Sequence, residues 1–188
     1  SAERLLRLDG QGRIWIGPAV SRLAGSATAG LVDEHRAVLV ELHRALDETV
    51  DLSVRDGDDV RFIDQVQSTR PLRAVSAVGA AFPLHCTANG KALLAAMDRD
   101  AVDRLLPPVL ERLTPNTIVD RERLHAELDE VRRRGVAEDR EEHTEGISAA
   151  GVVVGPDVAV SVPVPASRYG EVRAAVLDAL RAARDATA

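Results

Sequence analysis

The chain has 188 residues, 45% hydrophobic and 29% charged, with a formal net charge of −6 and a pI near 5.4. That length suits one domain of generous size, or one domain with a small appendage, and the acidic balance lacks the basic excess of a phosphate-neutralising protein. A single cysteine, Cys86, excludes an internal disulfide and CxxC metal sites, and aromatics at 2% leave Leu, Val and Ala to fill an aliphatic core.

No apolar run approaches the roughly 20 residues of a membrane span and no signal peptide opens the sequence, so a cytoplasmic protein is expected. The first segment, "ERLLRLDGQGRIWIG", has two short apolar runs around Asp9-Gly10-Gln11-Gly12, the turn chemistry of a hairpin. Two strands alone are marginal in water, so the hairpin reads as the last piece of a module whose earlier part lies upstream of this chain. From Pro18 to about Asp47 a helical pattern is interrupted near Gly25 and Gly30, giving a linker helix over 18–30 and then a domain helix with Leu31, His35, Val38, Leu42 and Leu46 on one face.

"VDLSVRDGDDVRFIDQV" alternates on both sides of Asp56-Gly57-Asp58 and predicts an antiparallel hairpin, with Val50, Leu52 and Val54 facing Val60, Phe62 and Val66. "RPLRAVSAV" predicts a third strand. "TANGKALLAAM" predicts a short helix, and "DRDAVDRLL" a second one, capped by Asp98 and stopped by Pro107-Pro108. "DRERLHAELDEVRRRG" predicts a helix with Leu124, Leu128 and Val131 inside, Asp120 as N-cap and Gly135 as the stop. "GISAAGVVV" and "DVAVSVPVP" flank Gly155-Pro156-Asp157 as strands, and a last helix from about Ser167 places Val172, Val176, Leu180 and Ala183 inside. Strands grouped between groups of helices predict an α+β fold with a mostly antiparallel sheet.

Three groups of residues could carry chemistry. A helix starting at Thr87 to Gly90 offers free backbone N–H groups and a positive dipole end to an anion, with Gly90 permitting close approach. The alternative is that Thr87 or Asn89 caps the helix and Gly90 serves packing; the residues leave both open. Lys91 is read as an interface or intradomain salt-bridge partner in preference to a ligand contact. "DREEHTEG" supplies Asp139, Glu141 and His143, which alternation in a strand would point one way for acid/base or metal chemistry, against a solvated face as the plainer reading. His85-Cys86 resembles a metal pair, but adjacent strand residues point to opposite faces, so no metal site is assigned. The sequence has no GxSxG elbow, P-loop or GxGxxG.

With these segments in hand, the chain resembles the effector-binding domain of IclR-type bacterial transcriptional regulators. "PLHCTANGKALLA", "GVAEDREEHTEGISAAG" and "AVSVPVPASR" are similar to that family's motifs and stand in its order across residues 18–188. The resemblance implies a GAF-like α+β fold, with helices on the faces of the central sheet, that senses a small molecule, contributes to dimers or tetramers, and uses no cofactor or catalytic residue. It further implies that 1–17 is the wing of a winged helix-turn-helix, that 18–30 is a linker helix and 31–188 the sensing domain, and that operator DNA is bound only by the full-length protein.

Carried over by position, the effector pocket would use Thr87, Ala88 and Asn89 from the loop, Asp139, Ala149, Ser161 and Pro163 from strands, and Leu72, Ala74 and Ser76 on the apolar side. The effector would be a small organic acid or an aromatic metabolite. Two departures bear on that choice: Ala149 stands where the family often has cysteine, and "PVP", Pro163 to Pro165, where it has serine-glycine-proline. Loss of two polar anchors, each worth roughly 1.5–3 kcal/mol when charge-assisted, shifts the expectation from a small keto acid toward a less polar ligand. An enzyme using Asp139, Glu141 and His143, and a pocket-less assembly domain, are the two alternatives.

Overall fold

Hairpins with left-handed turn residues organise the sheets. The computed structural model describes residues 5–187 and divides into two compact units, the first ending at Ala37 and the second starting at Val38. The first four residues of the expected 1–17 segment and Ala188 lie outside the described residues.

In the first unit, β1 (Leu6–Leu8) pairs antiparallel with β2 (Ile14–Ile16), as the turn chemistry predicts. Asp9 fixes that turn by accepting hydrogen bonds from the backbone N–H groups of Gln11 and Arg13, while Gly12 takes the left-handed conformation. Helix α1 (Pro18–Leu46), of which the residues up to Ala37 belong to this unit, runs without a break at Gly25 or Gly30, contrary to the expected interruption. A glycine in a helix costs only about 1 kcal/mol against alanine, too little to end one of this length.

In the second unit six strands form one antiparallel sheet in the order β5-β4-β3-β8-β7-β6. They are β3 (Val50–Asp56), β4 (Asp59–Val66), β5 (Ala81–Pro83), β6 (Ala137–Arg140), β7 (Ile147–Gly155) and β8 (Val158–Pro165). The β3–β4 pairing differs from the expected one in register. A bulge after Leu52 sets Phe62 opposite Ser53, so Phe62 shares the face of Ser53 and Asp51 and not that of Leu52. The strand expected over 70–78 does not form. That segment is an irregular loop, Gln65 Nε2 donates to the Ser76 carbonyl across it, and the edge place beside β4 goes to the three-residue β5.

A 3₁₀ turn (Leu84–Cys86) leads into α2 (Ala88–Ala95), followed by α3 (Arg99–Leu105) and α4 (Arg121–Arg134). Asp98 stands at the N-cap of α3 but makes no side-chain cap bond, whereas the Asp120 carboxylate accepts from Arg123 N–H at 2.8 Å and Gly135 ends α4 with φ 71°. Leu93, Leu94, Val102, Leu124, Leu128 and Val131 join in one aliphatic core under these helices. The last helix, α5 (Ala166–Thr187), packs on β7 and β8 and buries Val176, Leu177 and Leu180, with Val172 and Ala183 half-buried.

The alternation of the strands decides which face meets which helix. Leu52, Val160 and Val152 form one cross-strand row, and Asp51, Ser161 and Gly151 form the next, on the opposite face. Glu138 reaches α5 on the first side, where Tyr169 and Arg173 donate to it. Its neighbour Asp139 points to the second side, which α2 covers.

Candidate functional site

The site begins where α2 lands on the sheet. Thr87 is its N-cap, and the Thr87 hydroxyl accepts from Gly90 N–H at 3.2 Å. A Cβ at Gly90 would run into the Leu84 carbonyl, so this glycine serves the tight 3₁₀-to-helix junction and not the approach of a ligand. Gly151 does the complementary work on β7: a Cβ there would stand 2.9 Å from Asn89 N and 3.1 Å from Ala88 C. The first peptide of α2 therefore lies against the sheet, which leaves little room for an anion on the side that faces Gly151.

Beside this contact is a cavity of about 330 Å³, toward the small end of the roughly 300–1,000 Å³ that ligand pockets occupy. Nine of the ten sequence-derived residues line it: Thr87, Ala88, Asn89, Asp139, Ala149, Ser161, Pro163, Ala74 and Ser76. The strand register explains the grouping, since Asp51 pairs with Ser161, and Asp139 pairs with Ala149, which pairs with Pro163 two residues further along β8. Leu72 is the exception. It is 63% exposed, and its carbonyl accepts from Arg168 outside the cavity.

Sequence reasoning missed Asp51, Phe62 and Phe82 in the lining. Asp51 sits in an alternating strand on the face opposite Leu52, a position that reads as solvent-facing unless a second layer is known to cover it. Phe82 meets Phe62 edge-on at 5.1 Å between centroids and stacks with His143 at 4.0 Å, making one aromatic wall.

Two carboxyl groups stand in this lining without a cation. Asp51 is buried, accepts from Ser76 Oγ and Gln65 Nε2 at 2.6 Å each, and has its pKa pushed up to about 6 because burial outweighs those bonds. Asp139 is pushed up to about 7, by burial first and by the neighbouring Glu142 charge, although it accepts the Glu142 N–H at 2.7 Å. Burial lowers the pKa of His143, with His85 adding to the effect.

The alternation expected for "DREEHTEG" breaks at its centre. β6 ends at Arg140, and Glu141 adopts φ 59°, which turns Glu142 inward to meet Lys91. Lys91 is the chain's only lysine and is fully buried; its Nζ lies 2.6 Å from Glu142 Oε1 and 3.3 Å from Glu127 Oε1. This intradomain bridge occupies it. Asp139 and His143 line the cavity, while Glu141 accepts from Gly146 N–H away from it, so the three do not form one constellation. His85 bonds the Glu111 carbonyl, and burial pushes the Cys86 thiol up to about 12. Among the described residues no group of three or more His, Cys, Asp and Glu is placed to hold a metal ion.

A larger cleft of about 540 Å³ includes Glu127, Glu138, Arg140 and Glu142. Its carboxylates are already committed: Glu138 to Arg140, Arg173 and Tyr169, and the other two to Lys91.

The model of the family described as "Bacterial transcriptional regulator IclR C-terminal" matches residues 26–187. The chain belongs to the IclR family. Among curated relatives it is similar to the HTH-type transcriptional regulator Rv1719 of Mycobacterium tuberculosis, 54% identical over 82% of this chain and 61% of the relative. It is also similar to the HTH-type transcriptional regulator KdgR of Escherichia coli, 40% identical over 71% of this chain and 53% of the relative. The chain thus spans about half to three fifths of the length of these relatives.

The crystal structure of the Thermotoga maritima IclR superposes with a TM-score of 0.79 at 28% identity, covering 96% of this chain and 77% of that one. The C-terminal domain of E. coli KdgR superposes at 0.71 and 32% identity over 82% of this chain and 94% of that one. As an IclR C-terminal domain the chain has the GAF-like α+β fold that the resemblance implied. No helix among the described residues is long and apolar enough to cross a membrane.

Proposed function

We propose that this IclR-family chain is the ligand-sensing part of a bacterial transcriptional regulator. It binds a small-molecule effector, a small organic acid or aromatic metabolite, in the cavity between α2 and the sheet. Occupancy then modulates operator binding by a DNA-binding domain of which 1–17 is the wing and the remainder lies upstream in the full-length protein, which acts in the cytoplasm as a homodimer or homotetramer.

The observation that carries this reading is the cavity itself: a recess with an aromatic wall whose polar groups converge from β3, β6, β8, the start of α2 and the loops that carry Ser76, His143 and Thr144. The relatives named above are transcriptional regulators, which weighs against the enzyme alternative. A two-state regulator needs only differential affinity of the effector for two assemblies, so the same pocket serves repression or activation.

The test is a thermal-shift screen of small carboxylates, aromatic acids, alcohols and lactones, repeated on Ala149→Leu, which fills the cavity, and on Ser161→Ala. A ligand at 100 times its Kd adds about 2.7 kcal/mol to stability. The expected result is a hit that disappears in Ala149→Leu and that alters operator binding by the full-length protein. A hit that survives both substitutions would put the sensor elsewhere, and no hit at all would favour a pocket-less assembly domain.

A further inference from the structure

The cavity's charged lining bears on which half of the effector class it accepts. Among the described residues its ionisable groups are Asp51 at one end and Asp139 and His143 at the other, with no lysine or arginine in the lining. β8 and β7 run between the strands that carry the two acids. Several features that would favour an anion are engaged within the protein. Lys91 is held by Glu142 and Glu127, the Gly90 N–H by the Thr87 hydroxyl, and the Ala88–Asn89 peptide lies against Gly151. Asn89 Nδ2, a further donor near the helix start, donates to Ser53 Oγ at 2.8 Å.

Resting on the sensor reading above, we infer that the effector is a molecule that presents hydrogen-bond donors, hydroxyl or amine, to Asp51 or Asp139 and lays a flat apolar part on the Phe62–Phe82–His143 wall, and that a free carboxylate is selected against. Buried carboxylates accept strong hydrogen bonds from such donors and repel an anion that brings no counter-charge. Asp51 faces Gln65 of β4, Ser76 of the loop that follows β4 and Ser161 of β8; Asp139 faces Glu142, Lys91 and Cys86 in addition to His143. Of these, only Lys91 offsets the negative charge, and it does so from outside the lining.

Proton uptake adds a direction to the selectivity. At pH 8 both aspartates are ionised and donor-bearing ligands gain, whereas at pH 5 both are protonated and the penalty on an anion falls.

The experiment is calorimetric titration of this chain with benzylamine, benzyl alcohol and benzoate, which share a ring and differ in the head group, at pH 5 and pH 8. We expect benzoate to bind at least about tenfold more weakly than the better of the other two at pH 8, with the gap narrowing at pH 5. In Asp51→Asn/Asp139→Asn, whose side chains keep the size of the originals, the pH 8 gap is expected to shrink by about the same factor. The wild-type pH comparison needs no variant to fold. Benzoate binding tightest at pH 8, or a gap indifferent to both pH and the double substitution, would overturn this inference while leaving the sensor pocket standing, provided Ala149→Leu abolishes binding. Absence of binding by all three probes would overturn the inference together with the sensor reading on which it rests.

Discussion

Lys91 and Glu142 show how one residue can look functional and be structural. A lysine in the first turn of an apolar helix opposes the macrodipole, which invites a ligand to explain it, yet its 2.6 Å contact with Glu142 satisfies it inside the domain. Burial still dominates Glu142, holding its carboxyl above the ordinary range, and its Oε2 has no partner among the described residues. Breaking a buried pair leaves an uncompensated charge, so Lys91→Met is expected to lose about 3–5 kcal/mol in urea unfolding. The further change Glu142→Gln should restore part of that loss. A single variant within 1 kcal/mol of the parent would show that the bridge contributes little.

At the scale of elements, capping separates positions that read alike in sequence. Asp98 and Asp120 both precede helices, but only Asp120 accepts a hydrogen bond from its helix. Asp120→Ala is expected to cost about 1 kcal/mol of stability, and Asp98→Ala less than about 0.5 kcal/mol. Equal effects in paired denaturation curves would mean that the Asp120 bond does not hold in solution. The irregular 67–80 segment gives the complementary lesson. Its alternating apolar residues look like a strand, but Ser76 is drawn to Asp51 at 2.6 Å and Ala74 is buried, so the segment closes one side of the cavity and does not pair.

For the whole molecule, the buried acids set the pH dependence of stability. Asp51 and Asp139 have folded pKa values of about 6 and about 7, above those of an unfolded chain. Their stabilising contribution is therefore complete below pH 4 and is lost as pH rises through about 7. Glu138 runs the other way. Burial opposes its ionisation, but Arg173, Tyr169 and Arg140 outweigh that and hold it at about 2, so its contribution is present above pH 4.5 and is lost toward pH 2. Unfolding free energy should thus fall by a few kcal/mol between pH 5 and pH 8, and Asp51→Asn/Asp139→Asn should flatten that slope. An unchanged slope in the double variant would assign the dependence to other groups.

Apart from the strand expected over 70–78 and the helix break near Gly25 and Gly30, the order and type of elements followed from periodicity, turn residues and caps, because these are local: the hairpins at Asp9–Gly12 and Asp56–Asp58, the Asp120 cap and the Gly135 stop all stand as the residues predict. The pocket lining from Thr87 to Asn89 and on β6 to β8 came from family motifs, and nine of those ten positions converge on one cavity. What only tertiary structure decided was whatever depends on a second layer or a register. The bulge after Leu52 moved Phe62 to the cavity face, α2 packing on Gly151 filled one side of the helix end, and covering the polar face of β3 turned Asp51 from an apparent surface residue into a buried acid. A strand sequence specifies which residues share a face; whether that face meets water or another element is set by residues far away along the chain.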